Sequence, residues 1–157
     1  VARAHISLGN LPQAKVYLAR AQALQPQAPA VRSLEAIIVA RSGHEDQAKE
    51  LARKALADKA YDYDLVNTAF ALGLRSKDWE FARQAADLLI REWPPTRVRV
   101  YLELGLMYHQ ELKDPAKALE MYRMALASTP QAQLGSVLPQ IPKPYLDQLV
   151  QISSSKK

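Results

Sequence analysis

Apolar residues recur along this chain at helical spacing, in blocks separated by short polar turns. Between Pro29 and Ser42 they fall at Val31, Leu34, Ile37 and Ile38, which predicts an amphipathic helix. Gly43 follows and suits a left-handed helix stop; Ala48, Leu51, Ala52, Ala55 and Leu56 then form the stripe of a second helix. Start signals agree with this reading. Asn10 is placed as an N-cap, with Pro12 early in the helix and Gln13 positioned for a capping-box contact; Asp114 precedes Pro115, and Asp78 precedes Trp79.

The blocks repeat. Ala14, Ala48 and Ala82 are each 34 residues apart, and Ala118 follows after 36. Gly9 and Gly43, Ala2 and Ala36, and Ala21 and Ala55 share the stride; Pro26 and Pro94 are separated by twice it, and Pro130 closes the next unit. Small residues in phase have a physical meaning. Where two helices joined by a short turn cross closely, a large side chain would push the backbones apart. Alanine permits contact, while Leu18, Phe70, Trp79, Leu89, Tyr108 and Tyr122 fill the remaining volume. One such hairpin cannot hide its apolar stripe alone, so the pattern predicts an all-α stack of at least three hairpins.

The stretch from Leu104 and Gly105 to Tyr108, followed by Ala118, Tyr122, Ala125, Leu126 and Pro130, resembles the tetratricopeptide repeat. That family's pattern is a Leu-Gly pair, then Tyr, Ala, an aromatic, Ala-Leu and a closing Pro, over 34 residues. The resemblance covers residues 1–130, with a truncated first repeat at about 1–28 and further repeats at about 29–62, 63–96 and 97–130. Glu35, Glu45 and Ala60 depart from the pattern, and the fourth repeat carries two extra residues. A pentatricopeptide array is the nearest rival, and the Ala-Leu and Pro endings favour the tetratricopeptide reading. The resemblance implies a right-handed superhelical array of helix-turn-helix hairpins. Residues 131–157 change character: Pro139, Pro142 and Pro144 interrupt them, and Tyr145, Leu146, Leu149 and Val150 return to helical spacing. They read as a capping helix, with a frayed tail over Ser153–Lys157. Because the helical pattern is already under way at Val1, the expectation is a piece of a longer protein.

Composition narrows the chemistry. The 157 residues are 48% hydrophobic and 24% charged, too apolar for disorder, and no cysteine is present to form disulfides, thiolate metal sites or cysteine nucleophiles. The richest apolar run, Leu34 to Ala40, is far short of the roughly 18 residues of a membrane-spanning helix. His5, His44 and His109 lack zinc-ligand spacing; His44 lies at an interhelix turn, and His5 reads as a packing residue. No nucleophile elbow, Walker loop or dinucleotide fingerprint occurs, and five glycines leave little for a phosphate-binding loop. The reading is therefore no catalytic residue, no metal and no cofactor. The net charge of +5 comes from 21 Lys and Arg interleaved with 16 acids, a solvated surface rather than the single basic face that nucleic acid requires.

In this family the first helices of successive repeats line a concave groove that holds peptides or partner segments. Carried over by phase, the resemblance implies a groove of Arg3 and Ile6, of Ser33, Ile37 and Arg41, of Asn67, Ala71 and Arg75, and of Arg99, Leu102, Leu106 and His109. Arg41 and Arg75 are one period apart and Arg3 about one turn out of phase, so an acidic or C-terminal peptide is the expected ligand, with Ile37 and Leu106 supplying apolar pockets. The alternative is that each arginine covers its own helix and pairs with an acid such as Glu35 or Glu103. Asn10 and Asn67 are the only asparagines, which rules out the chaperone-tail carboxylate clamp. A truncated first repeat also leaves Leu11–Leu24 partly uncovered, a surface for a homodimer. The second functional reading is an accessory domain of a larger bacterial envelope-assembly or secretion-related protein or enzyme, in the cytoplasm or the periplasm.

Overall fold

A computed structural model describes residues 1–154, other than the side chains at 7 and 152–154. Among the described residues there are helices and turns and no strand. The chain divides into two compact units, Val1–Leu89 and Ile90–Lys157.

The first unit contains α1 (Ala2–Ser7), α2 (Leu11–Leu24), α3 (Pro29–Arg41), α4 (Glu45–Ala57), α5 (Tyr63–Arg75) and most of α6 (Trp79–Glu92). Local chemistry sets the ends. Asn10 Oδ1 accepts from the Gln13 N–H at 3.3 Å, Asp62 Oδ1 from Leu65 at 3.0 Å, and Asp78 Oδ1 from Phe81 at 3.3 Å, each neutralising a helix-terminal donor. The turns inside the hairpins pass through left-handed backbone at Gly9 (φ 73°), Gly43 (φ 85°) and Lys77 (φ 56°), so the alanine stride is also a stride of turns. Lysine at 77 adopts a conformation that glycine takes without steric cost, which is why composition did not flag this turn.

Packing follows the small residues. Ala14, Ala48 and Ala82 are completely buried. Opposite Ala82 stands Gly73, where a Cβ would lie only 2.7 Å from the Ala82 nitrogen and 2.8 Å from its Cα. Backbone touches backbone at that crossing. Leu18, Phe70 and Leu89 are buried as the pattern predicts, and Trp79 is half-buried. Ile6, Ala14, Leu18, Val31, Ile37 and Ile38 form one continuous core cluster. Polar ties bind neighbouring hairpins at their edges. The Arg53 guanidinium pairs with Asp78 and lies 4.6 Å from the Phe81 ring centre, while Lys49 reaches the same carboxylate at 3.6 Å. Burial alone would raise the Asp78 carboxyl, but the Phe81 N–H and the two cations outweigh it and hold the group below the usual carboxylate range.

The second unit takes the end of α6, a 3-10 turn at Pro94–Thr96, α7 (Arg97–Gln110), α8 (Pro115–Ala127), the short α9 (Leu134–Val137) and α10 (Lys143–Ser154). Asp114 caps α8 through the Lys117 N–H at 3.0 Å, and Lys113 (φ 52°) makes the left-handed turn. Ala118 is fully buried, and a Cβ on Gly105 would strike the Tyr122 ring at 2.5 Å. The Leu-Gly pair of the motif is thus a seat for an aromatic ring. Tyr145 of α10 closes over that ring, with centroids 5.1 Å apart, and its hydroxyl is hydrogen-bonded to His109 Nδ1 at 2.9 Å. The helix expected over 144–152 is present. It extends to Ser154, and the rest of the expected tail, 155–157, lies outside the described residues.

Tyr122 is fully buried, and its hydroxyl has no hydrogen-bond partner among the described residues. Burial, aided by the neighbouring Tyr145, pushes its pKa up to about 12 from 10.0. The unfolded chain ionises this phenol near 10, whereas the folded chain resists until about 12. Stability held below pH 10 therefore falls between pH 10 and 12, by about 2–3 kcal/mol at order of magnitude. Tyr122→Phe should remove that share of the alkaline loss. At neutral pH it should leave the protein equal or more stable by about 1 kcal/mol, because an unpaired buried hydroxyl is deleted. Urea midpoints at pH 8 and pH 11 for both proteins measure the difference.

Candidate functional site

Three first helices of the first unit, α1, α3 and α5, present a run of side chains to one open depression with two lobes. The smaller lobe, about 140 Å³, is lined by Arg3, Ile6, Ile37, Arg41, Asp64, Asn67 and Thr68. The larger, about 460 Å³, is lined by Ile37, Ala40, Arg41, Asn67, Thr68, Ala71 and Arg75. Ile37, Arg41, Asn67 and Thr68 belong to both and form the waist. Helical phase explains the gathering: Ile37 and Arg41 are one turn apart on α3, as are Asn67, Ala71 and Arg75 in succession on α5.

Seven of the eight residues expected from this unit come together here. Ser33 does not. It is completely buried, and its hydroxyl donates to Asp62 Oδ1 at 2.7 Å, tying α3 to the start of α5 beneath the depression. Ile6 and Ile37 are only 5% and 6% exposed and belong to the core cluster, so they make a floor rather than an open apolar pocket. The arginines differ among themselves. Arg3 is held by Asp62, and by Asp64 at 3.1 Å. Arg75 pairs with Glu45 at 2.9 Å through both Nε and Nη2. Arg41 is exposed and has no acidic partner among the described residues. Pairing with local acids, the alternative weighed from the sequence, thus describes Arg3 and Arg75 but not Arg41, and the acids involved are not Glu35.

The residues expected from the fourth repeat lie in the second unit, on α7. Arg99 pairs with Glu103 one turn along, at 3.0 Å. Leu102 is buried and His109 is engaged by Tyr145, because these two positions face the neighbouring helices of their own unit. Leu106, 42% exposed, stays accessible, so it forms an apolar bump rather than a pocket. His5 stacks on Tyr17 with ring centres 5.3 Å apart, as befits a packing histidine.

Asp64, Thr68 and Ala40 line the depression although periodicity had not singled them out. Asp64, Thr68, Ala71 and Arg75 form a second stripe on α5, spaced by four, three and four, that a wider reading of the helix face would have included. Among the described residues no group of three or more His, Asp or Glu is placed to hold a metal ion, and no helix is long and apolar enough to cross a membrane.

No protein-family model matches the chain, and no curated protein is similar enough to be a relative. A solved structure from a functional characterization of Pseudomonas aeruginosa pilF, a tetratricopeptide-repeat protein, is similar: 26% identical, with a TM-score of 0.73, over 96% of this chain. The chain spans 66% of that structure's length. The fold is thus an all-helical repeat array similar to that tetratricopeptide-repeat structure, a type of scaffold that generally serves protein interaction and is typically non-catalytic.

Proposed function

We propose that this chain is a non-catalytic interaction module that holds a peptide or partner segment in the depression of its first unit. The observation that carries the reading is the two-lobed depression itself: it is open, polar at its rim and apolar at its floor, and built by α1, α3 and α5. Its open shape favours binding over chemistry. Guanidinium groups at the rim favour a ligand bearing carboxylates. On α7 of the second unit, Arg99 and Leu106 are the accessible members of the expected face and provide a further contact area. Tyr145, closing over Tyr122, supports the reading of α10 as a cap for residues 97–130. The test is capture of a defined partner peptide by the native protein and by Arg41→Glu plus Arg75→Glu. Reversing both charges should weaken binding by about tenfold or more, and unchanged capture would remove the arginines from the account.

A second reading is an accessory domain of a longer bacterial envelope-assembly or secretion-related protein; the likeness to a longer Pseudomonas aeruginosa structure supports only that the parent is bacterial and larger. Self-association through the first hairpin is supported by Leu8, Val16 and Leu24, which are 80%, 44% and 82% exposed. Light scattering on a protein extended at its N-terminus separates an intrinsic dimer from one caused by an uncovered surface.

A further inference from the structure

We infer that Arg41 alone is the anion-reading group of this depression, and that the segment it takes is an extended chain with one internal acidic side chain flanked by neutral residues. The inference rests on the groove reading above and sharpens it from an acidic ligand to a singly acidic one.

Arg3 faces two carboxylates, Asp62 and Asp64, so that end of the depression is neutral to slightly negative. Arg75 faces Glu45, which leaves the other end neutral. Among the described residues the waist, at Arg41, is the uncompensated positive point. A ligand carboxylate placed there gains the guanidinium fork without first displacing an acid of the protein. Across the waist stand Asn67 and Thr68, an amide and a hydroxyl of the kind that complete the coordination of a carboxylate. A second ligand carboxylate beside the first would approach either Asp62 and Asp64 or Glu45. The acids that satisfy Arg3 and Arg75 thus act against polyacidic segments.

Shape decides between an acidic side chain and a chain terminus. Space continues on both sides of Arg41, about 140 Å³ toward Arg3 and Ile6 and about 460 Å³ toward Ala40, Ala71 and Arg75. A C-terminal carboxylate at the waist would leave one lobe empty, whereas an internal Glu or Asp lets the ligand backbone run through both. The floor is apolar at Ile6 and Ile37 in the smaller lobe and small at Ala40 and Ala71 in the larger, so neutral flanking residues fit each side.

The test uses fluorescent short peptides with mixed Ala, Ile and Ser positions around a fixed centre, blocked at both ends. The centre is Glu, Gln or three successive Glu, and a fourth set is cut after the Glu to leave a free C-terminus. Anisotropy titrations are run on native protein, Arg41→Gln, Arg75→Gln and the groove-blocking Ala71→Trp, with helix content checked for each. The single-Glu set should bind native protein about tenfold or more tightly than the Gln set. That preference should vanish in Arg41→Gln, persist in Arg75→Gln, and gain nothing from three Glu or a free terminus. A Glu preference that survives Arg41→Gln, or a tenfold gain from three Glu or from the free terminus, overturns the inference while binding that Ala71→Trp abolishes keeps the groove. Binding indifferent to Ala71→Trp, or no binding of any set, overturns the groove reading and this inference with it.

Discussion

Gly73→Ala should destabilise the first unit by about 3 kcal/mol, although the same change in an open helix favours folding by about 1 kcal/mol. The added methyl would sit 2.7 Å from the Ala82 nitrogen, 2.8 Å from its Cα and 2.9 Å from its Cβ. Two of those three atoms are backbone and cannot rotate away, so α5 and α6 must separate. Separation loosens the contacts of Phe70, Leu72 and Phe81, all at most 1% exposed. Gly135→Ala is the natural control, because nothing lies within 4 Å of a Cβ there and α9 should be unharmed or slightly favoured. Urea unfolding of the two variants should therefore move in opposite directions. Equal shifts would mean that the 73–82 crossing tolerates separation.

Asp62→Ala should cost about 2–3 kcal/mol, more than an exposed carboxylate normally contributes. Its side chain accepts from the Leu65 N–H at 3.0 Å, from the Ser33 hydroxyl at 2.7 Å, and pairs with Arg3. The Arg3 pair is largely exposed and adds little. The larger share comes from the lost helix cap and from Ser33, whose hydroxyl is left buried without an acceptor. Asp62→Asn keeps an oxygen for both donors and should cost less than half as much. Adding Ser33→Ala to Asp62→Ala should recover about 1 kcal/mol, since the stranded hydroxyl is gone. A loss below about 0.5 kcal/mol for Asp62→Ala would show that the junction of α3 and α5 does not depend on it.

Much of the architecture is legible in the residues because it depends on local spacing. The stride of Ala14, Ala48 and Ala82 marks the crossings, and Asn10, Asp78 and Asp114 mark helix starts, since capping is decided within three residues. What spacing does not convey is which side of a groove helix a polar residue faces once its neighbours are in place. Ser33 lies one turn before Ile37, yet a hydrogen bond to Asp62, 29 residues away, draws it inward. His109 had the phase of a groove residue, but Tyr145, 36 residues later, claims its ring. Nor does the pattern distinguish Arg41 from Arg3 and Arg75. That distinction rests on acids supplied by other helices, Glu45 of α4 for Arg75 and the start of α5 for Arg3. Long-range pairing is where periodicity stops being informative, and the ligand-facing surface is made of such pairings.

The claim on which the rest stands is that buried alanines at one stride let helices cross closely enough to stack. Equilibrium unfolding of Ala48→Leu beside Ala23→Leu tests it most directly: both add the same atoms to a helix, the first at a fully buried crossing and the second on the exposed side of α2. The account predicts a loss of about 3 kcal/mol for Ala48→Leu and a change within about 0.5 kcal/mol for Ala23→Leu. A loss at position 48 no greater than at position 23 would contradict it.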